Sequence, residues 1–296
     1  MFLFFPIFNL ILNSSSMVNT DLYKPSKLRE ICAKNGLRPS KSYGQNFLVS
    51  PHPIEKILAV GELDKNDIII EVGPGFGVLT FAIAPLVKKI VAFEIEKKLE
   101  NYWEEKQKEY KNIEIIWGNA IKNIPKYLLE NKIEEYKVIA NLPYQITSQI
   151  LRTFFELEKK PESITIMVQK EVAERILAKK GGMNLLALSV QFFGEPRIVT
   201  KVSSASFWPK PKVESAILQI INIGQPTNID EFFKIARLGF SSKRKQLWKN
   251  LSQGIDLPSE RIQEILKDLT GTEKIRAEDL SLGEWEILVE NLKNFV

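Results

Sequence analysis

The chain is poor in the residues that most often carry disulfides and metals: its 296 residues include one cysteine, Cys32, and one histidine, His52. That excludes a disulfide framework, a cysteine-based zinc site and a histidine cluster, and no metal is expected. It fits a reducing, cytoplasmic location. His52 stands between Pro51 and Pro53 and reads as a loop residue. Long apolar runs are also missing. Residues 2–12 are almost wholly apolar but are interrupted by Pro6 and Asn9. The run is too short to span a bilayer and lacks the basic start of a secretory signal. Residues 1–20 are read as a disordered extension, with Met17 as an alternative start and a signal peptide as the rival reading. No membrane partner is expected. There is no internal repeat and no low-complexity tract.

What is present is ordinary for a soluble globular chain: 44% hydrophobic and 26% charged residues. The length suits one large α/β domain and a small second one. A net charge of +5 permits a nucleic-acid partner without demanding one.

The chemistry centres on Asn141-Leu142-Pro143-Tyr144, which follows the apolar run 136–140. That run reads as a buried parallel strand, and Pro143 ends it in a stiff, extended loop. Ligands of open α/β sheets sit beyond the carboxyl ends of the strands. There the loop offers Asn141 as an amide, main-chain carbonyls near Pro143 as acceptors, and Tyr144 as an aromatic face. Those groups suit an amino group on a flat conjugated ring. Two acceptors that hold its N–H bonds out of the ring plane localise its lone pair, and the aromatic face holds the ring by stacking. The competing reading is a turn that caps a core strand.

Upstream, the β-branched run 67–72 leads into Gly73-Pro74-Gly75-Phe76-Gly77 and then a helical pattern at 78–84. Strand, glycine turn and helix open a nucleotide-binding βαβ unit. Val78 stands where a dinucleotide fingerprint needs its third glycine, so a ligand without phosphate fits the turn better. The next strand, 89–93, ends at Glu94, 21 residues beyond Gly73. A carboxylate there can accept from both hydroxyls of a ribose. The alternative is a helix N-terminal acid, since 94–106 has a helical pattern. After a third strand at 113–117, Gly118-Asn119 places an amide at the same rim, able to read an adenine edge or simply to turn the chain.

Further along, the pattern predicts a helix at 146–158, a strand at 163–168, helices at 169–177 and 185–193, and last strands at 201–203 and 214–220. Lys179-Lys180-Gly181-Gly182 reads as a flexible loop over the active face. Phe207-Trp208-Pro209-Lys210-Pro211-Lys212 is an extended stretch suited either to stacked bases with nearby phosphates or to a plain linker. Residues 24–41 carry six basic side chains against Glu30, and 234–249 carry Lys234, Arg237, Lys243, Arg244, Lys245 and Lys249 with no acid. Both can grip phosphates or remain solvated. The second is the stronger, with a basic-started helix expected at 243–250. Domain boundaries are set at 1–20 (extension), 21–225 (α/β domain with a basic arm) and 226–296 (helical domain, which the resemblance given next makes RNA-binding).

Gly44-Gln45-Asn46-Phe47-Leu48, Glu71-Val72-Gly73-Pro74-Gly75, Asn141-Leu142-Pro143-Tyr144, residues 209–215 and residues 239–247 occur in this order. Together they resemble the ribosomal RNA adenine dimethyltransferases, in particular the small-subunit type whose loss gives kasugamycin resistance. The likeness runs from about residue 37 to the C-terminus. It implies a Rossmann-like class I S-adenosylmethionine-dependent methyltransferase domain with a small all-helical C-terminal domain. It further implies a monomer that dimethylates N6 of two adjacent adenines in a loop near the 3′ end of 16S rRNA, late in assembly of the small ribosomal subunit. Carried onto this chain, cofactor contacts fall on Asn46, Leu48, Gly73, Gly75, Glu94 (ribose), Asn119 (adenine) and Asn141. Catalytic contacts to the target base fall on Asn141, Tyr144 and Phe207, and RNA contacts on Lys243, Arg244, Lys245 and Lys249. The family usually has aspartate where this chain has Asn119, and residues 179–184 do not match its usual pattern. Three other readings share some of these features: a macrolide-resistance-type 23S rRNA adenine N6-methyltransferase, a largely non-catalytic ribosome-assembly factor, and an NAD dehydrogenase. Val78 and the lack of a catalytic histidine tell against the last.

Overall fold

A computed structural model describes residues 20–39 and 44–296. The extension expected at 1–20 therefore lies outside the described residues except for Thr20, as do Lys41, Ser42 and Tyr43 of the basic arm and the motif after it. In chain order the helices are α1 (Pro25–Lys34), α2 (Pro51–Val60), α3 (Val78–Ile83), α4 (Glu100–Glu109), α5 (Ala120–Glu130), α6 (Thr147–Glu156), α7 (Lys170–Ile176), α8 (Leu185–Gln191), α9 (Ile229–Gly239), α10 (Leu247–Leu251), α11 (Ser259–Thr270) and α12 (Leu282–Leu292). The strands are β1 (Phe47–Leu48), β2 (Ile68–Val72), β3 (Lys89–Glu94), β4 (Ile113–Trp117), β5 (Lys137–Asn141), β6 (Ser163–Gln169), β7 (Glu195–Val202), β8 (Phe207–Trp208) and β9 (Ser215–Ile221). The chain forms two compact units. One holds the described residues up to Lys170 together with Ile198–Gln219, and the other holds Glu171–Arg197 and Ile220–Val296.

The first unit is built on a seven-stranded sheet in the order β4-β3-β2-β5-β6-β9-β7. β4, β3, β2, β5 and β6 are parallel neighbours. The order reverses between β2 and β5, so the segments that leave β2 and β5 diverge and open a crevice at their carboxyl ends. The central strands are buried on both faces, which is why they read as unbroken apolar runs: Ile69, Ile70, Ile90, Val91 and Val138 have no exposed surface. Asp67 and Lys137, at the starts of β2 and β5, pair at 2.9 Å and are largely buried. α5 holds although Pro125 lies inside it, because Ile124, Tyr127 and Leu128 make a buried stripe on one side. β7 begins six residues before the strand expected at 201–203. Pro196 disguises it in the sequence, but β7 is the edge of the sheet, where a missing N–H costs no ladder bond. A separate ribbon pairs β1 with β8, setting Phe47 opposite Trp208 and Leu48 opposite Phe207.

Three local expectations are corrected here. His52 lies in the first turn of α2, where Pro51 occupies the helix start that proline favours. Glu94 ends β3 as the strand reading expected, and it is the alternative, a helix running from 94, that fails, since the α-helix starts only at Glu100. The loop at 179–182 is tied down within the second unit: Gly181 and Met183 donate to the Glu278 carbonyl at 2.8 and 3.2 Å, and Lys180 pairs with Glu284 at 2.5 Å.

The second unit is helical around Trp285, Phe232, Leu247 and Leu288. Phe192 stacks on Phe232 with centroids 3.8 Å apart. α12 starts with a capping box in which Ser281 and Glu284 exchange bonds with each other's backbone N–H. The expected helix at 243–250 begins only at Leu247, and Lys243, Arg244 and Lys245 sit in the turn before it. The buried Asn250 explains this: its amide donates to the carbonyls of Gly239 at 2.6 Å and Ser242 at 3.0 Å, holding the turn out of helical geometry. Among the described residues no helix is long and apolar enough to cross a membrane.

Candidate active site

The crevice at the ends of β2, β3, β4 and β5 contains a cavity of about 160 Å³. The glycine turn after β2 forms its floor. Gly75 and Gly77 take left-handed φ values of +56° and +80°, which side-chain-bearing residues rarely adopt. A Cβ on Gly75 would stand 3.1 Å from the Phe47 ring, and one on Gly77 only 2.5 Å from Phe81. The turn is held from behind. Trp103 Nε1 donates to the Gly75 carbonyl at 3.0 Å, and the Tyr102 hydroxyl donates to Phe76 O at 2.8 Å.

Two carboxyls face this floor. Glu94, 5% exposed, accepts from the backbone N–H groups of Ile95 and Glu96 through Oε1 (2.8 Å each) and of Gly75 through Oε2 (3.1 Å). Burial pushes its pKa up, against the pull of those three amides. Glu71, 1% exposed, opens the second motif but has no role in the sequence reading. Burial, with the nearby Glu94 charge adding, pushes its carboxyl up to about 8, while the Thr80 hydroxyl opposes the shift. No aligned hydrogen bond reaches Glu71 Oε2 or Thr80 Oγ1, so a buried acceptor is left without a partner beside the cavity. None of the described lining residues is lysine, arginine or histidine. With no cation among its described residues the lining has nothing to neutralise a phosphate, and its carboxyls offer acceptors to hydroxyls; Glu71 is held largely protonated near neutral pH, so what negative charge the wall presents is carried by Glu94.

Asn119 caps α5: its Oδ1 accepts from Lys122 N at 3.4 Å, which turns its N–H₂ toward other partners. Ile95, 48% exposed, and Ile121 add an apolar surface beside it.

At the opposite wall, Asn141 ends β5, and its Nδ2 donates to the Asn46 carbonyl at 3.4 Å. The donor half of the amide is thus used by the protein, and Oδ1 is left to accept. Leu142 N donates to Met167 O at 3.1 Å, and Pro143 O accepts from Ile146 N at 3.2 Å, so the loop is fixed at both ends. The Tyr144 hydroxyl is 2.8 Å from Ser215 Oγ at the start of β9, which anchors the ring at the cavity edge. Burial raises the Tyr144 pKa further above its ordinary value, so the phenol stays neutral.

Asn46, Leu48, Gly73, Gly75, Glu94, Asn119, Asn141 and Tyr144 therefore share one cavity. Phe207 does not line it; it is 4% exposed and packs in the core behind Leu48. Lys243, Arg244, Lys245 and Lys249 are exposed on the second unit. Of these, Lys243 lies 3.7 Å from Glu278 and Lys249 lies over the Trp248 ring. Sequence reading missed Ile95 and Ser215, and it placed Glu71 and Phe47 in motifs without giving either a role. An acid inside an otherwise apolar strand was the available signal for Glu71; Ser215 gave none.

Residues 36–293 match the family described as ribosomal RNA adenine dimethylase. The ribosomal RNA small subunit methyltransferase A of Dehalococcoides mccartyi strain BAV1 is 41% identical over 268 residues, which cover 89% of this chain and 91% of that one. Among solved structures, a dimethyladenosine transferase from Plasmodium falciparum superposes with a TM-score of 0.70 at 26% identity, over 82% of this chain and 96% of that one. The 23S rRNA methyltransferase ErmE gives a TM-score of 0.65 at 24% identity, over 83% and 99%, a likeness of fold alone.

Proposed function

The chain belongs to the ribosomal RNA adenine dimethylase family and is a methyltransferase, and we propose that it transfers methyl groups from S-adenosylmethionine to N6 of two adjacent adenines in a loop near the 3′ end of 16S rRNA. It acts as a monomer on the small subunit or its precursor, late in assembly. The observation that carries this reading is the amide of Asn141, committed through Nδ2 to Asn46 and offering Oδ1 at the edge of a cavity walled by Glu71 and Glu94.

The cofactor fits the residues present. It carries a ribose with two hydroxyls and no phosphate, which matches a cavity that has no cation among its described lining residues and has the Glu94 carboxyl facing the glycine turn. Glu94 would hold the ribose by accepting from its hydroxyls, the Asn119 amide would read the adenine edge, and the bare face of Gly75 would admit close approach. Asparagine in place of the family's usual aspartate thus offers the ring a donor that a carboxylate lacks, and gives up a charge and an acceptor oxygen. When bound, the cofactor supplies an electrophilic methyl group on a sulfonium.

The protein prepares the other reactant. The N6 lone pair of adenine is delocalised into the ring. Asn141 Oδ1 and the Leu142 carbonyl accept its two N–H bonds and turn them away from the ring plane, and the lone pair is localised for attack. Tyr144 holds the base by stacking, and its hydroxyl bond to Ser215 keeps the ring from turning. Phe207 supports this wall from the core through the β1–β8 ribbon. The methylated nitrogen is acidic enough to lose its proton to water, so no strong base is needed. The target adenine leaves its stack to enter. Lys243, Arg244, Lys245 and Lys249 grip the RNA backbone.

The test is mass spectrometry of ribosomal RNA from cells with and without the protein. The expected result is loss of N6,N6-dimethyladenosine at two neighbouring positions of 16S rRNA, with 23S rRNA unchanged. A change confined to 23S rRNA, or no change at all, overturns the reading.

A further inference from the structure

Two stretches that the cavity leaves unused, the basic N-terminal helix and the segment after Phe207, meet at one place in the first unit. Arg29 on α1 lays its guanidinium 5.7 Å from the centroid of the Trp208 ring. Trp208 stacks on Phe47, with centroids 6.3 Å apart and planes 26° apart, and Phe47 lies 4.5 Å from Phe76. Phe47 and Phe76 line the cavity. An unbroken series of planes therefore runs from the cavity wall to an exposed cation.

The charges around it single out that cation. On and beside α1, Lys24 pairs with Asp21 at 2.8 Å, Lys27 with Glu30 at 2.8 Å and Lys34 with Glu105 at 3.8 Å. Three of the arm's six basic side chains are thus paired locally. Among the described residues Arg29 has no carboxylate partner, and neither have the exposed Lys210 and Lys212 just beyond Trp208. Uncompensated positive charge is gathered where the aromatic series reaches the surface.

We propose that Arg29, supported by Trp208, is the seat for the RNA nucleotide next to the adenine that enters the cavity, with Lys210 and Lys212 taking the adjoining phosphates. The proposal rests on the RNA-methylating reading above and names how the strand beside the target is held. A guanidinium offers a plane on which a base stacks and N–H groups for a phosphate, and single-stranded RNA is recognised by that pairing. Trp208 is a positioning residue: its indole limits the conformations of a long side chain, so less freedom is lost when RNA arrives. Because Trp208 is the register partner of Phe47, the seat is set at a fixed distance from the cavity wall.

The experiment uses the full chain and small ribosomal subunits isolated without the methylation. Particle affinity is measured across a salt series, and cofactor affinity is measured by titration with S-adenosylhomocysteine. Arg29→Ala is expected to weaken particle binding about 5- to 30-fold and to lessen the log–log salt slope by about 0.7, while the S-adenosylhomocysteine titration is unchanged. Arg29→Lys keeps the slope but not the full affinity. Trp208→Ala weakens particle binding in the same direction but keeps the salt slope, because the Arg29 charge remains, and Trp208→Phe restores most of the binding. Unchanged particle affinity and slope in Arg29→Ala overturn the proposal. So does a variant that loses thermal stability and S-adenosylhomocysteine affinity with no change in slope, since Arg29 then only fastens α1. If the wild-type protein binds the particles through Arg29 yet transfers no methyl group, the methylation reading fails and this seat stands.

Discussion

Replacing Glu71 with glutamine gives a sharp test of how the cavity wall is charged. The carboxyl is 1% exposed, one of its oxygens lacks a partner, and its pKa is pushed up to about 8 by burial first and by Glu94 second. In the unfolded chain the group returns to its model value of 4.5. Between those values the folded state keeps a proton that the unfolded state has released. Stability is therefore highest below the unfolded pKa, falls as pH rises through the window, and levels off once the folded group ionises. The slope is roughly 1.4 kcal/mol per pH unit, so the wild-type protein loses about 3 kcal/mol from this group between about pH 6 and pH 9. Glutamine has nearly the same shape and no charge to bury. The stability of Glu71→Gln relative to wild type, from urea unfolding with matched m-values, should thus rise by about 3 kcal/mol over that interval. A difference that stays flat with pH would mean that Glu71 is ionised or hydrated in the folded protein. Glu71 would then carry its charge beside the cavity at neutral pH, and the neutral, protonated carboxyl assigned to this wall would be wrong.

Gly75→Val places a Cβ 3.1 Å from Phe47 at a φ of +56°. It should cost about 1–2 kcal/mol of stability and weaken S-adenosylmethionine binding by more than about tenfold in a calorimetric titration; wild-type affinity would contradict the floor assigned to this turn. Tyr144→Phe gives up only the hydroxyl bond to Ser215, worth about 1 kcal/mol, and should keep methyl transfer within a few-fold. Tyr144→Ala also removes the stacking face and should lower kcat/KM about 10- to 100-fold. Equal effects of the two changes would show that the hydroxyl, not the ring, matters. Replacing Lys243, Arg244 and Lys245 together with glutamine should reduce the salt slope of particle binding by about 2, and an unchanged slope would remove that turn from the RNA contact.

The parts of the fold that could be read from the sequence were those whose residues depend on their immediate neighbours. Central strands buried on both faces announce themselves as apolar runs, and a turn that needs left-handed backbone announces itself as Gly73-Pro74-Gly75-Phe76-Gly77. Features set by distant partners stayed hidden. Pro125 breaks the local helical pattern of α5, which survives on the packing of Ile124 and Leu128. The turn carrying Lys243 to Lys245 is fixed by Asn250, a residue that sequence reading took as the end of a helix. Ser215 reaches Tyr144 across 71 positions. For Asn141, the loop chemistry pointed to the right residue, but the bond to Asn46 that decides which half of its amide is offered depends on the β1 segment, and no spacing rule reveals it. The charge of the basic arm was overread, because Asp21 and Glu105 lie outside the window in which its lysines were counted.

The central claim is that Asn141, held by Asn46, makes an adenine amino group reactive beside a cationic cofactor. It is tested most directly by incubating wild-type and Asn141→Ala proteins with methyl-labelled S-adenosylmethionine and unmethylated small subunits, then digesting the RNA to nucleosides. The account predicts label in N6,N6-dimethyladenosine with wild type and a rate lower by roughly 100-fold or more in the variant, with particle binding nearly intact. Label in any other nucleoside, or a variant that transfers at the wild-type rate, would contradict it.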